Sequence, residues 1–445
     1  MMQEPKWLCR SAVFGAMIVL ASWAHAQEGT SDPGFGNGGR TWIDVTPSTT
    51  DTGDNLIRLP NGNFFMGGAC NSVACATWLS PSGAYATGYG TSGTGTALFS
   101  AFSGWPSDED GIADAAAFSD GRVVVALTRG GGSGYVAVLK ADGTGLDPAV
   151  GAGAGYVSVS FTTRLVRVTP QQQVIVAGST QASPTAIVFA RYDTTMHSDT
   201  SFGTGGSTTI GFTGANTILT GMTLQKDSKI VAVALIPAEP KAGLGIVRLT
   251  SGGTPDPDFG TASDGRFASF LGINFGVSGA DIAVDQKGRL VIVGEAFPDG
   301  NVTGKWFVDR LLGSGGVDMT FNGGQPRQFT LPGSPQGYPA ACCVALQSDG
   351  RIVVAGSGPR DNVNKYLAIA RFMDDGSFDS SFGDQFGYMG GEMSSAANVL
   401  TDSPRAMVIV PGGIVVGGST TVSGGEIRFS AAKVRIDLLY ADGFE

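Results

Sequence analysis

Histidine is almost missing from this chain: there are two in 445 residues, at positions 25 and 197. A Ser-His-Asp triad, a multi-histidine zinc site and a histidine proton shuttle are therefore all but excluded. Charge is sparse as well, at 15% of residues, and lopsided, with 38 acidic against 28 basic side chains. A net charge of −10 repels nucleic acid and anionic lipid, so neither is an expected partner. Past the first 25 residues there is no apolar run long enough to span a membrane as a helix, and stretches with helical periodicity are hard to find. The G-x-S-x-G elbow, the G-x-x-x-x-G-K-(S/T) loop and H-E-x-x-H are all absent.

The start of the chain explains part of this economy. In "MMQEPKWLCRSAVFGAMIVLASWAHAQ", Lys6 and Arg10 precede an apolar stretch from Ser11 to Trp23, and Ala24-His25-Ala26 follows as a small-x-small cleavage signal. This reads as a secretory signal peptide over residues 1–26, with an uncleaved N-terminal anchor as the alternative. Its apolar stretch is short of the roughly 20 residues a spanning helix needs. Cleavage removes Lys6, Arg10 and Glu4, which takes the net charge from −10 to −11. The mature chain is expected to be exported, periplasmic or extracellular, without a membrane span, and monomeric. Four of the five cysteines remain in it. An exported chain permits disulfides, and the close spacing of Cys70 and Cys75 in "CNSVAC" suits a bridge across a hairpin, two buried thiols being the alternative. The adjacent Cys342 and Cys343 would point to opposite faces of a strand, so no ordinary bridge is expected between them.

What the chain has in abundance is glycine, 69 residues of it, and much of that glycine falls in a repeated phrase. "SDTSFGTGG" at Ser198 recurs as "SDPGFGNGG" at Ser31, "PDPDFGTASDG" at Pro255, "VDMTFNGG" at Val317 and "FDSSFGD" at Phe378, with a worn copy "LDPAVGAGAG" at Leu146. Its aromatic positions are Phe35, Phe202, Phe259, Phe321 and Phe382, and the last four lie 57, 62 and 61 residues apart. A second phrase, two apolar strands around a polar turn, occurs seven times, as in "DAAAFSDGRVVVAL" and "CVALQSDGRIVVAG". A third strand such as "AIARF" follows each copy, and a fourth follows the glycine phrase. Periods above 50 residues with about four short strands are those of propeller blades. Ile352, Val353 and Val354 are consecutive apolar residues, so both faces of that strand must be dry. The predicted fold is all-β: a single β-propeller over residues 27–445, with seven blades of about four antiparallel strands and six or eight as alternatives. If the strand after the glycine phrase is the outer one of its blade, Trp42–Val45 would pair with the C-terminal strands and lock the ring.

The pattern D-x-x-F-G-x-G-G, then A-L-Q-x-D-G-(K/R)-I-V-V-A-G, then A-R-(Y/F)-x-x-D-G, resembles the delta-60 repeat family of exported bacterial proteins. It is best formed over residues 343–383. The resemblance implies a propeller fold and an exported location and supplies no catalytic residues.

The glycine phrase itself looks at first like a phosphate cradle. No helix follows it, which phosphate binding would want. The motif residues Asp32, Asp199, Asp256 and Asp379 are instead expected to bond their own following backbone, while the phrase's Phe plugs the gap between blades and Gly203, Gly205 and Gly206 supply positive φ. The least repeated polar patch is "SGWPSDEDG", where Trp105 stands near Asp108, Glu109 and Asp110. These could serve a sugar or a calcium ion, or the ring could be blade packing. No other cofactor is expected. Two functions follow. The first is an exported, non-catalytic scaffold presenting loops to a protein or glycan. The second is a hydrolase or lyase of a polysaccharide or lactone, with carboxylates in the central channel. What separates them is convergence, since an enzyme needs unrepeated polar residues from several blades at one mouth of the channel.

Overall fold

The computed structural model describes residues 28–436 except 47–49, 106–108, 130–132, 238–241, 270–275, 298–303, 332–339, 362 and 384–385. The proposed signal peptide therefore lies outside the described residues. The strands form seven antiparallel sheets, six of four strands and one of three, each in simple up-and-down order. Their innermost strands are Asp51–Arg58, Glu109–Ala117, Thr162–Val168, Ile218–Leu224, Gly276–Val284, Ala340–Leu346 and Val399–Val410. Each packs on the next and the seventh on the first, so the sheets are the blades of a closed seven-bladed propeller. No described helix is long and apolar enough to cross a membrane.

The consecutive apolar residues of the second strands have a direct structural reason. Val123, Val125 and Leu127 enter the core between blades 1 and 2, while Val124 and Ala126 enter the core between blades 2 and 3. Ile352 and Val354 are divided from Val353 in the same way. Side chains alternate along a strand, so a blade held between two neighbours needs apolar residues at every position. Seven clusters of buried side chains result, one per blade joint.

The glycine phrase completes these joints. Phe35, Phe202, Phe259, Phe321 and Phe382 are all fully or almost fully buried, each in a different cluster. Removing such a ring costs about 3–5 kcal/mol. Asp199 accepts from the Ser201 N–H at 3.1 Å, and Asp256 and Asp379 do the same for Asp258 and Ser381. Their other oxygen faces the arginine of the third strand, a repeated residue whose partner the sequence alone does not show. The Nε–Oδ2 distances are 2.8 Å for Arg191–Asp199, 2.7 Å for Arg248–Asp256, 2.7 Å for Arg310–Asp318 and 2.9 Å for Arg371–Asp379. The same guanidinium lies 4.7–5.0 Å from the motif Phe centroid. It then reaches the following blade, where Arg191 Nη1 donates to the Ser251 carbonyl at 2.6 Å. The worn copy in blade 2 and the divergent turn of blade 1 substitute other groups. Val150 fills the Phe place in blade 2, where Asp147 pairs with Arg122, and Trp78 stacks on Tyr89 in blade 1.

The ring closes through the chain's two ends. Blade 7 has three strands of its own, Val399–Val410, Gly413–Val422 and Ile427–Arg435, and residues 29–43 run along the last of them as a fourth. The Thr41 and Ile43 N–H groups donate to the Ala431 and Phe429 carbonyls at 2.8 and 2.9 Å. Asp32 receives Lys433 Nζ at 2.9 Å, a lysine version of the clasp. Glu28 pairs with Arg371, and its carbonyl accepts from the Gly383 N–H, so it joins blade 6 to the closing segment.

Candidate functional site

Every innermost strand carries a bulge at the same place. The register against the second strand slips between Gly53 and Asn55, Ile112 and Asp114, Thr163 and Leu165, Leu219 and Gly221, Gly279 and Asp281, Ala341 and Cys343, and Pro404 and Ala406. The extra residues are Asp54, Ala113, Arg164, Thr220, Ala280, Cys342 and Arg405. A bulge bends its strand and re-aims the side chain it carries. In four blades the second strand places a glycine opposite it that could not be replaced, whereas blades 2 and 4 place Leu127 and Ala126, and Ala234 and Val233, there. A Cβ on Gly68, Gly178, Gly356 or Gly418 would lie 1.8–2.1 Å from the carbonyl oxygen of Thr52, Thr162, Ala340 or Ser403. The repeated V-V-A-G ending is thus the sequence trace of the bulge, and the bulge marks the channel wall.

The seven inner strands enclose a cavity of about 950 Å³ along the propeller axis. Among its lining residues are the bulge positions Asp54, Ala113, Arg164, Thr220, Cys342 and Arg405. No one residue type is common to these positions: arginine occurs twice and aspartate, alanine, threonine and cysteine once each. Arg164 makes no hydrogen bond or ion pair among the described residues, and burial against the wall holds its guanidinium below the usual arginine range. Burial raises the Asp54 carboxyl, an effect that Arg405 opposes. One residue further on, Asp114 accepts from the Val166 N–H of the following blade at 2.9 Å and pairs with Arg167 Nη1 at 2.5 Å. Asp281 repeats that cross-blade bond to the Val344 N–H at 3.1 Å, and burial pushes its carboxyl up to about 6. Glu295, near the end of its second strand, also lines the cavity; burial raises it to about 7, against the pull of Lys365. The channel thus combines an unpaired guanidinium, suited to an anion, with a carboxyl able to hold or release a proton near neutral pH.

The patch expected around Trp105 is only partly described. Trp105 packs edge-on against Phe99 with centroids 4.8 Å apart and lies 6.4 Å from Phe102. Asp108 lies outside the described residues, and Glu109 and Asp110 are the first two residues of the blade 2 inner strand. No group of three or more His, Cys, Asp or Glu suited to a metal ion occurs among the described residues. Cys70 and Cys75 form a disulfide across the blade 1 hairpin. The expectation for the other pair is corrected: Cys342 and Cys343 are joined, with Cα atoms 3.7 Å apart. Strict alternation would have separated them, but Cys342 is the bulge residue, where alternation fails.

No curated protein matches the chain. Among solved structures it is similar to a protein of unknown function from Dyadobacter fermentans, at 11% identity over 91% of this chain and 100% of that one, with a TM-score of 0.47. A gluconolactonase from Xanthomonas campestris matches at 11% identity over 88% of this chain and 97% of that one, TM-score 0.38. The polysaccharide lyase Uly1 matches at 10% identity over 94% of both chains, TM-score 0.46. These likenesses carry no functional argument. By sequence, residues 347–382 match the family described as "Domain of unknown function (DUF5122) beta-propeller".

Proposed function

We propose that this chain is an exported propeller of the delta-60 repeat kind that binds a glycan in its central channel. The observation behind this reading is the varied set of side chains at the six bulge positions that line the channel. Residues needed for packing recur from blade to blade, as the motif Phe and Asp do. At the bulges the residue type changes from blade to blade, and hydrogen-bonding and charged groups from different blades meet in one cavity, as a polar ligand site requires.

The test is a binding screen of residues 27–445 against a glycan array, with calcium and with chelator, repeated for Arg164→Ala and Trp105→Ala. Loss of hits with Arg164→Ala, and not with Trp105→Ala, is the expected result. Hits that depend on Trp105 and calcium would move the site to the loop patch, and an array silent in both conditions would overturn glycan binding. A second reading, turnover of a polysaccharide or lactone, is favoured by one feature: a channel carboxyl at Glu295 raised to about 7 has the affinity for protons that acid–base catalysis uses. Product release from array hits, abolished by Glu295→Gln, would select it.

A further inference from the structure

We propose that Cys342–Cys343 is a thiol-exchange site, a disulfide in the channel wall that a small thiol from solution opens while Cys70–Cys75 stays closed. The two bridges differ in surroundings. Cys70 and Cys75 are 2% and 0% exposed, inside the core between blades 7 and 1. Both residues of the other bridge line the cavity beside the apolar core between blades 6 and 7, but Cys342 is only partly buried while Cys343, 3% exposed, is a member of that core. The two sulfurs are therefore unequal. An incoming thiolate reaches Cys342 Sγ from the channel, and Cys343 Sγ is the leaving group.

The chemistry balances with a monothiol as reductant. R–S⁻ attacks Cys342 Sγ and forms a mixed disulfide there; the old S–S bond breaks, its electron pair stays on Cys343 Sγ, and that sulfur takes up a proton because its apolar pocket disfavours a thiolate. A second thiol then attacks the mixed disulfide, releasing R–S–S–R and leaving two protein thiols. The cavity wall carries Arg58, Arg164, Arg167 and Arg405 against Asp54, Asp114, Asp281 and Glu295, so access to Cys342, not the charge of the thiol, decides the reaction.

The test treats the native protein with 2-mercaptoethanesulfonate, quenches with iodoacetamide and maps peptides by mass. Labelling or adduct at Cys342 and Cys343 should exceed that at Cys70 and Cys75 by about tenfold or more. Equal labelling of both pairs, or none at Cys342 and Cys343 until the protein unfolds, overturns the proposal. A second measurement compares Cys343→Ser with Cys342→Ser, each leaving one thiol. The thiol of Cys343→Ser should react with an aromatic disulfide reagent about tenfold faster than that of Cys342→Ser. Equal rates would refute the assignment of Cys342 as the attacked sulfur. If either variant does not fold, the mass map of the unmodified protein decides alone.

Discussion

Arg248 and Asp256 meet with Nε and Oδ2 2.7 Å apart, and both are buried. Burial alone would raise the Asp256 carboxyl, but the Asp258 N–H, Lys229 and Arg248 outweigh it and hold the group below its usual range. A depressed folded-state value means that the pair's contribution is complete above the ordinary carboxylate range, near 3.8, and is lost as pH falls through the lower folded value. Asp256→Asn strands the Arg248 charge in the blade joint. It should cost about 3–5 kcal/mol at pH 7 and clearly less at an acid pH below the lowered folded value, where the wild-type carboxyl is also neutral. Urea unfolding at the two pH values checks this, and an equal loss at both would show that the pair does not carry the effect.

Ring closure makes a second prediction. Ile43 is 2% exposed, lies in the core between blades 7 and 1, and donates to the Phe429 carbonyl. Ile43→Asp places a charge in that core and should lower the unfolding free energy by several kcal/mol. It should also expose residues 28–45 to protease well before the other blades. Cleavage that begins elsewhere in the ring would contradict a closure held by this segment.

Glu295 titrates with the opposite sign. Its folded value, about 7, lies above the ordinary carboxylate range, so its contribution to stability is present at pH 4 and is lost as pH rises through 7. Asp281, raised to about 6, acts in an overlapping window. Glu295→Gln keeps the neutral form, so it should leave the melting temperature unchanged at pH 4 and raise it at pH 8, by about 1–3 kcal/mol of stability. A higher melting temperature at both pH values would point to packing instead.

Packing periodicity made the blades legible in the sequence. Ile352, Val353 and Val354 required two dry faces, and the spacing of Phe202, Phe259, Phe321 and Phe382 gave the unit length. The clasp was half legible: Asp199 and Phe202 stood out by repetition, while Arg191 lay in a third-strand phrase that gives no sign of pairing with a residue eight positions on. The channel was not legible. Asp54, Arg164 and Thr220 share no residue type, and a bulge moves them off the alternation by which a face is read. Only the glycines opposite, such as Gly178 and Gly356, mark the place, and their role depends on a carbonyl oxygen of the neighbouring strand.

The closing segment also orders events in time. Thr41 hydrogen-bonds to Ala431 across 390 residues of sequence, so the closing strand can settle only when the far side of the ring is in place. Until then blade 7 has an unpaired outer edge, and the joints beside it are open to water. Bringing such distant segments together is an entropic step that local hairpins do not face, and slow assembly of this kind leaves strand edges open to other chains. Each hairpin can form on its own, but the finished particle arises in one late event.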